Sequence, residues 1–420
     1  MIDRNIILAC LGIQDEKVWT FDSIIKNGET HIYLNLKDER IKCPYCQNDK
    51  IVIKDYYNTT INNSIIRLSK VFVHIKMRRY LCKTCRKTFR QQFFLGKFGR
   101  STSFAVEMSV MESLKKKVSF KDVAEEHNIS VTQCIRIFDE SNKFERLSLT
   151  RAICVDEFFF KYDKKGDAQY PFIIVDPNSA KIIDILPYRT KPYLESYFRC
   201  IPKEERAIVN FFVSDMNETY RAIKKKFFPQ ALHIVDHFHV IKVFNEKLKH
   251  QRLEIMKSCE KDSYEYKFLK KYHKMFYKNA AELKQMRKIN ERTGEIFDRE
   301  LELKYVLRHY PQLQEIYFAR EDFAYSMMKL EDRYKTFNKM DFYIQKFEKS
   351  TNKFVREIAS TFKNWRFEIV NAYSKNDYHF CLTNAIAENT NGEVKKLINI
   401  SYGYNNFERL RKRILYINAH

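Results

Sequence analysis

The chain has 420 residues with 76 Lys and Arg against 53 Asp and Glu, and its formal net charge of +23 at pH 7 favours a polyanionic partner such as nucleic acid. Its ten cysteines are too sparse for a disulfide scaffold and suit a reducing compartment with one metal site. No apolar run approaches the roughly 18 residues that a membrane span requires, so we expect no membrane partner and a cytoplasmic protein.

Four of the cysteines form two Cys-x-x-Cys pairs, Cys43 with Cys46 and Cys82 with Cys85. Two such pairs can supply four thiolates to one tetrahedral Zn²⁺ ion. A pair of redox dithiols is the alternative, but no thioredoxin-like βαβ pattern surrounds either pair. We therefore predict a structural zinc ribbon within an N-terminal region of residues 1–92.

The positive charge is concentrated around these cysteines. Residues 51–100 contain twelve Lys and Arg and a single acid, Asp55. Such a block is the expected footprint of a phosphate backbone. Six of its side chains are predicted to bind DNA: Arg78, Arg79, Lys83, Arg86, Lys87 and Arg90.

A helix-turn-helix is predicted within residues 93–148. Apolar residues recur at helical spacing from residue 123 to residue 138, and a short turn interrupts them with Ser130 as a plausible N-cap. The pattern also fits an ordinary helical pair, but the neighbouring basic block and zinc ribbon favour DNA reading. Three side chains of the second helix would then face the major groove: Thr132, Gln133 and Arg136.

From residue 149 the pattern changes to strands and helices in the order β-β-β-α-β-α-β-α, which predicts a mixed sheet covered by helices. Two of its strands end in acids that their apolar runs do not explain, Asp156 and Asp215. If the first and fourth strands are neighbours, the two carboxylates meet at one edge, where divalent cations would stabilise the pair. Because strand side chains alternate, Asp156 and Glu157 must point to opposite faces.

A third acid should come from a helix that packs over this edge. The C-terminal segment offers Glu388 and Glu393, and periodicity does not distinguish them. Between the sheet and this segment, residues 241–375 contain one proline and one glycine, so we predict a helical insertion.

Four stretches beginning ICVDEFFFK, FIIVDPNSAK, FVSDMNETYR and TNAIAENTNG together resemble bacterial insertion-sequence transposases of the ISL-three type. The resemblance spans essentially the whole chain. It implies a multi-domain α+β fold with a zinc ribbon, a helix-turn-helix and an RNase H-like DDE domain that is interrupted by a helical insertion. The catalytic core would comprise residues 149–240, the insertion 241–375, and the last helix of the core with a basic tail 376–420.

The resemblance also assigns roles to residues near the sheet edge. It implies that Asp156, Asp215 and Glu388 are the catalytic acids and hold two Mg²⁺ ions, for which Mn²⁺ can substitute. Asp236 and His239 match a short Asp-x-x-His motif and are expected to be structural residues near the site. Lys395 is predicted to contact a DNA phosphate, the alternative being a solvated lysine.

The implied activity is that of a DDE transposase. Such an enzyme binds the terminal inverted repeats of its insertion sequence, cleaves double-stranded DNA at the element ends and joins the 3′-OH ends to target DNA by two-metal phosphoryl transfer. It would act as a homodimer or higher oligomer on DNA, associated with the bacterial nucleoid. One alternative is a catalytically inactive regulator that binds DNA through the zinc ribbon and helix-turn-helix. Another is an RNase H-like nuclease of repair or RNA processing, which would cleave without preference for element ends.

Overall fold

In the computed structural model, the chain divides into two compact units, one of residues 1–145 with 394–420 and the other of residues 146–393. The structure describes residues 18–37, 41–63, 70–92, 95–97, 99–141, 145–160, 170–279, 282–283, 288–289, 296–297, 299–328, 332–375, 385–401, 404 and 406–419.

A five-stranded sheet forms the first part of the N-terminal unit. Its strands are β1 (Val18–Lys26), β2 (Glu29–Leu36), β3 (Ile51–Asn62), β4 (Lys70–Cys82) and β5 (Thr88–Arg90). The order is β1-β2-β4-β3, and β5 pairs with β4. Inward-facing residues of β2 and β4, such as Ile32 and Ile75, alternate with polar ones and build one apolar core.

Three helices follow in the same unit: α1 (Phe104–Ser113), α2 (Phe120–Glu126) and α3 (Val131–Ser141). The predicted helix-turn-helix corresponds to α2 and α3. The backbone N–H of Gln133 donates to Ser130 Oγ at 3.2 Å, so Ser130 caps α3 as its position in the sequence predicts. Ser119 and Asp122 form a reciprocal capping box at the start of α2.

The second unit is built on a mixed sheet. Its strands are β6 (Ala152–Glu157), β7 (Phe172–Val175), β8 (Ile182–Leu186), β9 (Phe211–Ser214) and β10 (Leu232–Val235). Their order is β10-β9-β6-β7-β8, with β6, β9 and β10 parallel and β7 and β8 antiparallel. The first and fourth strands, β6 and β9, are therefore neighbours, which is the arrangement that brings their terminal acids together.

Helices pack against this sheet and continue into the insertion. Those connecting the strands are α4 (Lys191–Cys200), α5 (Lys203–Ala207) and α6 (Glu218–Phe227). Leu194 and Phe198 of α4 and Tyr220 of α6 join the buried core of the sheet. A long helix, α7 (His237–Ser258), follows β10 and leads into the insertion.

The remainder of the insertion is mainly helical. Its helices are α8 (Tyr264–Lys271), a 3₁₀ helix (His273–Tyr277), α9 (Arg299–His309), α10 (Pro311–Met327), α11 (Arg333–Glu348), α12 (Lys353–Asn364) and α13 (Arg366–Tyr373). The prediction of an all-helical segment misses one short ladder, β11 (Lys288–Ile289) with β12 (Ile296–Phe297), because two-residue strands leave no alternating apolar pattern. Among the described residues, no helix combines the length and apolar character that crossing a membrane requires.

The last two helices are α14 (Ala385–Ile400) and α15 (Phe407–Ala419). α15 packs with α1 and the turn before α2, since Tyr416 donates to the carbonyl oxygen of Met111 and Arg413 donates to those of Lys116 and Val118. It also reaches the helix-turn-helix, where the ring centroids of Tyr416 and Phe138 are 5.9 Å apart. We expected residues 376–420 to group with the catalytic core. The compact units instead group residues 394–420 with the N-terminal unit, because the buried contacts of α15 are made there.

Candidate active site and zinc centre

Three aspartates lie level at the carboxyl edge of the three parallel strands. The register of β6 with β9, continued by two residues, sets Asp156 level with Asp215. The register of β9 with β10, continued by one residue, sets Asp215 level with Asp236. Level residues on parallel strands point to the same face of a sheet. The fold therefore gathers three carboxylates from separate parts of the sequence at one edge.

Burial and mutual repulsion perturb two of these acids. Burial raises the pKa of Asp156 to about 6, and the charges of Glu157 and Asp215 add to this effect while that of His239 opposes it. Burial also raises the pKa of Asp215 to about 6, helped by the charge of Glu157. Asp215 Oδ1 is buried and accepts no hydrogen bond from the described residues. The Asp215 carboxylate thus lacks part of the compensation that an ionised buried acid needs.

Glu388 meets the third aspartate of this edge. Asp236, His239 and Glu388 each offer one ligand atom, and these atoms lie within 4.8 Å of one another. His239 Nδ1 is 3.4 Å from Asp236 Oδ2. Burial lowers the pKa of His239, but Asp236 and the charge of Asp215 outweigh this effect and raise it above its usual value. Asp236 and His239 therefore lie together at the acidic edge of the sheet, and Glu388 lies beside them.

Glu157, the acid adjacent to Asp156, has a different set of partners. It accepts hydrogen bonds from the hydroxyl of Tyr220 and the guanidinium of Arg189. Asp156 instead accepts a hydrogen bond from Asn391 Nδ2 at 2.8 Å. The two neighbouring acids thus contact separate groups, in agreement with the alternation of side chains along a strand.

The donor chemistry of this edge fits divalent cations. Carboxylate oxygens are the ligands that Mg²⁺ prefers, and they are supplied by Asp156, Asp215 and Asp236 at the edge and by Glu388 beside Asp236. The buried Asp215 Oδ1 without a partner is the kind of oxygen that a cation would satisfy. His239 adds a nitrogen donor nearby, which Mn²⁺ accepts more readily than Mg²⁺ does.

The four cysteines of the two predicted pairs come together in the N-terminal unit. Cys43 Sγ lies 3.6 Å from Cys85 Sγ, and Cys46 Sγ lies 3.6 Å from Cys82 Sγ. Zinc–sulfur bonds of about 2.3 Å in a tetrahedron imply sulfur separations of nearly this length. Backbone N–H groups, first that of Cys85, lower the pKa of the Cys82 thiol to about 6. At Cys46 a backbone hydrogen bond is outweighed by burial and the neighbouring thiols, which raise the pKa, so the metal-free cluster keeps protons that a bound metal would displace.

The two cysteine pairs lie on similar turns. The N–H of Gln47 donates to the carbonyl of Cys43 at 2.8 Å, and the N–H of Arg86 donates to that of Cys82 at 2.9 Å. Gln47 and Arg86 both have positive φ angles, of 59° and 56°. The cysteine geometry, with all four sulfurs within 4.8 Å of one another, is that of a structural Zn²⁺ site.

The six basic residues predicted to bind DNA divide into two groups. Arg78 donates to the carbonyl oxygens of Leu36 and Lys37, and Arg79 lies 3.5 Å from Asp55, so both side chains are engaged within the sheet. The other four are exposed around the second cysteine turn and β5: Lys83, Arg86, Lys87 and Arg90.

The predicted DNA readers on α3 also differ in their surroundings. Thr132 is exposed. Gln133 uses its amide inside the unit, where Oε1 accepts from Ser130 and Nε2 donates to Ser101 Oγ at 2.7 Å. Arg136 is half-buried, with Nε 4.0 Å from Glu140. Lys395 is exposed on α14.

Three residues of the acidic edge carry roles that the sequence patterns did not indicate: Tyr220, Arg189 and Asn391. Tyr220 and Arg189 are separated from Glu157 by helices and strands, so no local pattern relates them to it. Asn391 follows Glu388 by three residues on α14 and ends the NAxAExxN pattern around Glu388, but neither signal assigned it a role.

Two family models match this chain. The DDE-type ISL3 transposase family model matches residues 153–414, which include Asp156, Asp215, Asp236 and Glu388. A zinc-finger model of the transposases of IS204, IS1001, IS1096 and IS1165 matches residues 39–85, which include the four cysteines. No curated protein matches the chain.

Proposed function

This chain belongs to the ISL3 family of transposases, and from that premise we propose that it binds the terminal inverted repeats of its insertion sequence, cleaves DNA at the element ends and joins the freed 3′-OH ends to target DNA. The observation that carries the proposal is the level pair of Asp156 and Asp215 at the sheet edge, with Glu388 close to the neighbouring Asp236. Carboxylates gathered in this way are the ligands of two-metal phosphoryl transfer.

In this proposal Asp156, Asp215 and Glu388 would hold two Mg²⁺ ions. Bound there, the ions would supply activation of the attacking water or 3′-OH and stabilisation of the leaving oxygen. The surrounding protein keeps Asp156 and Asp215 half-buried, which strengthens their attraction for cations, while Glu388 is exposed. Asp236 and His239 lie beside Glu388 and orient it.

The N-terminal unit supplies the DNA contacts in this proposal. The exposed Lys83, Arg86, Lys87 and Arg90 neutralise phosphates, which gives affinity without sequence preference. Thr132 and Arg136 on α3 reach base edges in the major groove. Because two element ends must be joined, the protein acts as a homodimer or higher oligomer on DNA in the bacterial cytoplasm.

A catalytically inactive regulator is the second candidate. The zinc site and the helix-turn-helix favour it, since both serve DNA binding without chemistry. Such a regulator would bind DNA independently of Mg²⁺. It would also have no use for three buried or closely spaced acids, which cost stability unless cations compensate them.

The experiment that separates the two candidates uses the full-length, zinc-loaded protein and duplex DNA from either side of its gene. We expect nicks at matching inverted ends in Mg²⁺ and in Mn²⁺, and none in Ca²⁺ or without a divalent cation. Tight binding to the same ends with no nicking in either metal would contradict the transposase activity and support the regulator.

A further inference from the structure

Asn391 is a buried polar residue on the helix that carries Glu388, and the roles described above leave it unused. Its side chain is only 5% exposed. Residues three positions apart share one face of a helix, so α14 presents Glu388 and Asn391 together.

The amide of Asn391 donates both of its hydrogens to one strand. Nδ2 lies 2.8 Å from Asp156 Oδ2 and 3.3 Å from the carbonyl oxygen of Glu157. Rotating the amide by half a turn would set its oxygen against a carboxylate and a carbonyl, neither of which can donate. The chemistry of the two acceptors therefore fixes the orientation of the amide.

The oxygen of the same amide, Asn391 Oδ1, is buried and has no hydrogen-bond donor among the described residues. A buried acceptor without a partner is unfavourable in a residue that serves packing alone. The amide of Asn391 must therefore serve another purpose, and its hydrogen bond to Asp156 indicates which one.

We propose that Asn391 is a positioning residue for Asp156, holding one carboxylate oxygen in place so that the carboxylate would be oriented to hold a divalent cation at the acidic edge. This inference rests on the proposed function. Asn391 and Asp156 are 235 positions apart in the sequence, so their hydrogen bond ties β6 to α14 and sets the separation of the first and third catalytic acids.

A neutral donor suits this position better than a charged one. A lysine or arginine would fix the carboxylate equally well, but its charge would cancel the charge that attracts a cation. The amide orients Asp156 and leaves its full negative charge available. In metal sites generally, residues that do not bind the metal orient its ligands by hydrogen bonds.

The test compares Asn391→Ala, Asn391→Asp and the matched control Asn389→Ala, which removes an exposed amide from the same helix. Mn²⁺ binding to the zinc-loaded full-length protein is measured by the electron paramagnetic resonance signal of free Mn²⁺, without DNA. We expect Asn391→Ala to weaken Mn²⁺ affinity about tenfold and to lower kcat for nicking with an unchanged KM for DNA. Asn389→Ala should behave as the wild type does.

Asn391→Asp keeps the shape of the side chain and removes the donor, which separates hydrogen bonding from packing. A positioning role predicts that its nicking is at least as impaired as that of the alanine variant. Recovery of nicking in the aspartate variant, or wild-type Mn²⁺ affinity and kcat in the alanine variant, would overturn the inference. A wild-type protein that binds Mn²⁺ but never nicks would instead contradict the proposed function, and Mn²⁺ affinity would still decide the role of Asn391.

Discussion

Arg409 on the last helix forms a forked pair of hydrogen bonds with Asp139 on α3, 270 positions earlier in the sequence. Together with the buried Arg413, this contact makes α15 a fourth helix of the helix-turn-helix. The helix-turn-helix therefore depends on α15 for part of its packing.

Removing a contact of α15 should lower the free energy of unfolding of the N-terminal unit, and a buried contact should lower it more than an exposed one. Asp139→Ala breaks a partly exposed ion pair and should cost about 1 kcal/mol or less. Arg413→Ala removes a fully buried guanidinium that caps two carbonyl oxygens, and should cost about 3 kcal/mol. Urea unfolding of each variant measures the cost, with Lys412→Ala as control. Equal costs for Asp139→Ala and Arg413→Ala would show that α15 does not depend on its buried contacts.

The zinc site should hold the N-terminal sheet together. Cys46→Ser removes one of four sulfur ligands, so we expect loss of the single bound zinc and unfolding of the surrounding turns. Zinc content by atomic emission and the loss of end-DNA binding measure the effect. Serine at Cys200, an exposed cysteine outside the cluster, is the control and should leave one zinc per chain. Full zinc content in Cys46→Ser would exclude the four-cysteine site.

The buried acids should make the protein without Mg²⁺ sensitive to pH. The folded-state pKa of Asp156 is raised from 3.8 to about 6, so its stabilising contribution is fully present below about pH 4 and is lost as the pH rises through about 6. The difference between these two pKa values corresponds to roughly 3 kcal/mol in the free energy of unfolding. Asp156→Asn should therefore stabilise the protein by up to that amount at pH 7.5 and by almost nothing at pH 4.

Urea unfolding at the two pH values, without Mg²⁺ or Mn²⁺, measures this difference. The exposed Glu204 provides the control, because Glu204→Gln should change stability little at either pH. Added Mg²⁺ should stabilise the wild type at pH 7.5 and have less effect on Asp156→Asn. An Asp156→Asn variant that is less stable than the wild type at pH 7.5 without metal would contradict this prediction. It would show that neighbouring groups of the protein already stabilise the ionised Asp156 carboxylate.

Much of this architecture could be predicted from local patterns. The cysteine spacing identified the zinc cluster, and the acids that end two apolar strands identified Asp156 and Asp215, because both signals are short-range and chemically unusual. The neighbouring positions of β6 and β9 followed from the order of the elements.

Long-range relationships were not predictable from the same patterns. The packing of α15 with α1 to α3 depends on contacts between residues about 300 positions apart, which periodicity does not encode. The hydrogen bonds that Gln133 donates to Ser101 and Arg78 donates to Leu36 likewise depend on tertiary structure. Both residues looked available for DNA because their types suit DNA contacts, while their hydrogen-bond partners lie elsewhere in the chain.

The decisive comparison is between Glu388→Gln and Glu393→Gln in the Mg²⁺-dependent nicking of element-end DNA. Both substitutions remove one carboxylate from α14, but of the two it is Glu388 whose ligand atom lies within 4.8 Å of those of Asp236 and His239, a group that could hold a metal ion. We predict that Glu388→Gln abolishes nicking and retains end binding, while Glu393→Gln nicks at close to the wild-type rate. Nicking that survives in Glu388→Gln and is lost in Glu393→Gln would contradict the assignment of the active site.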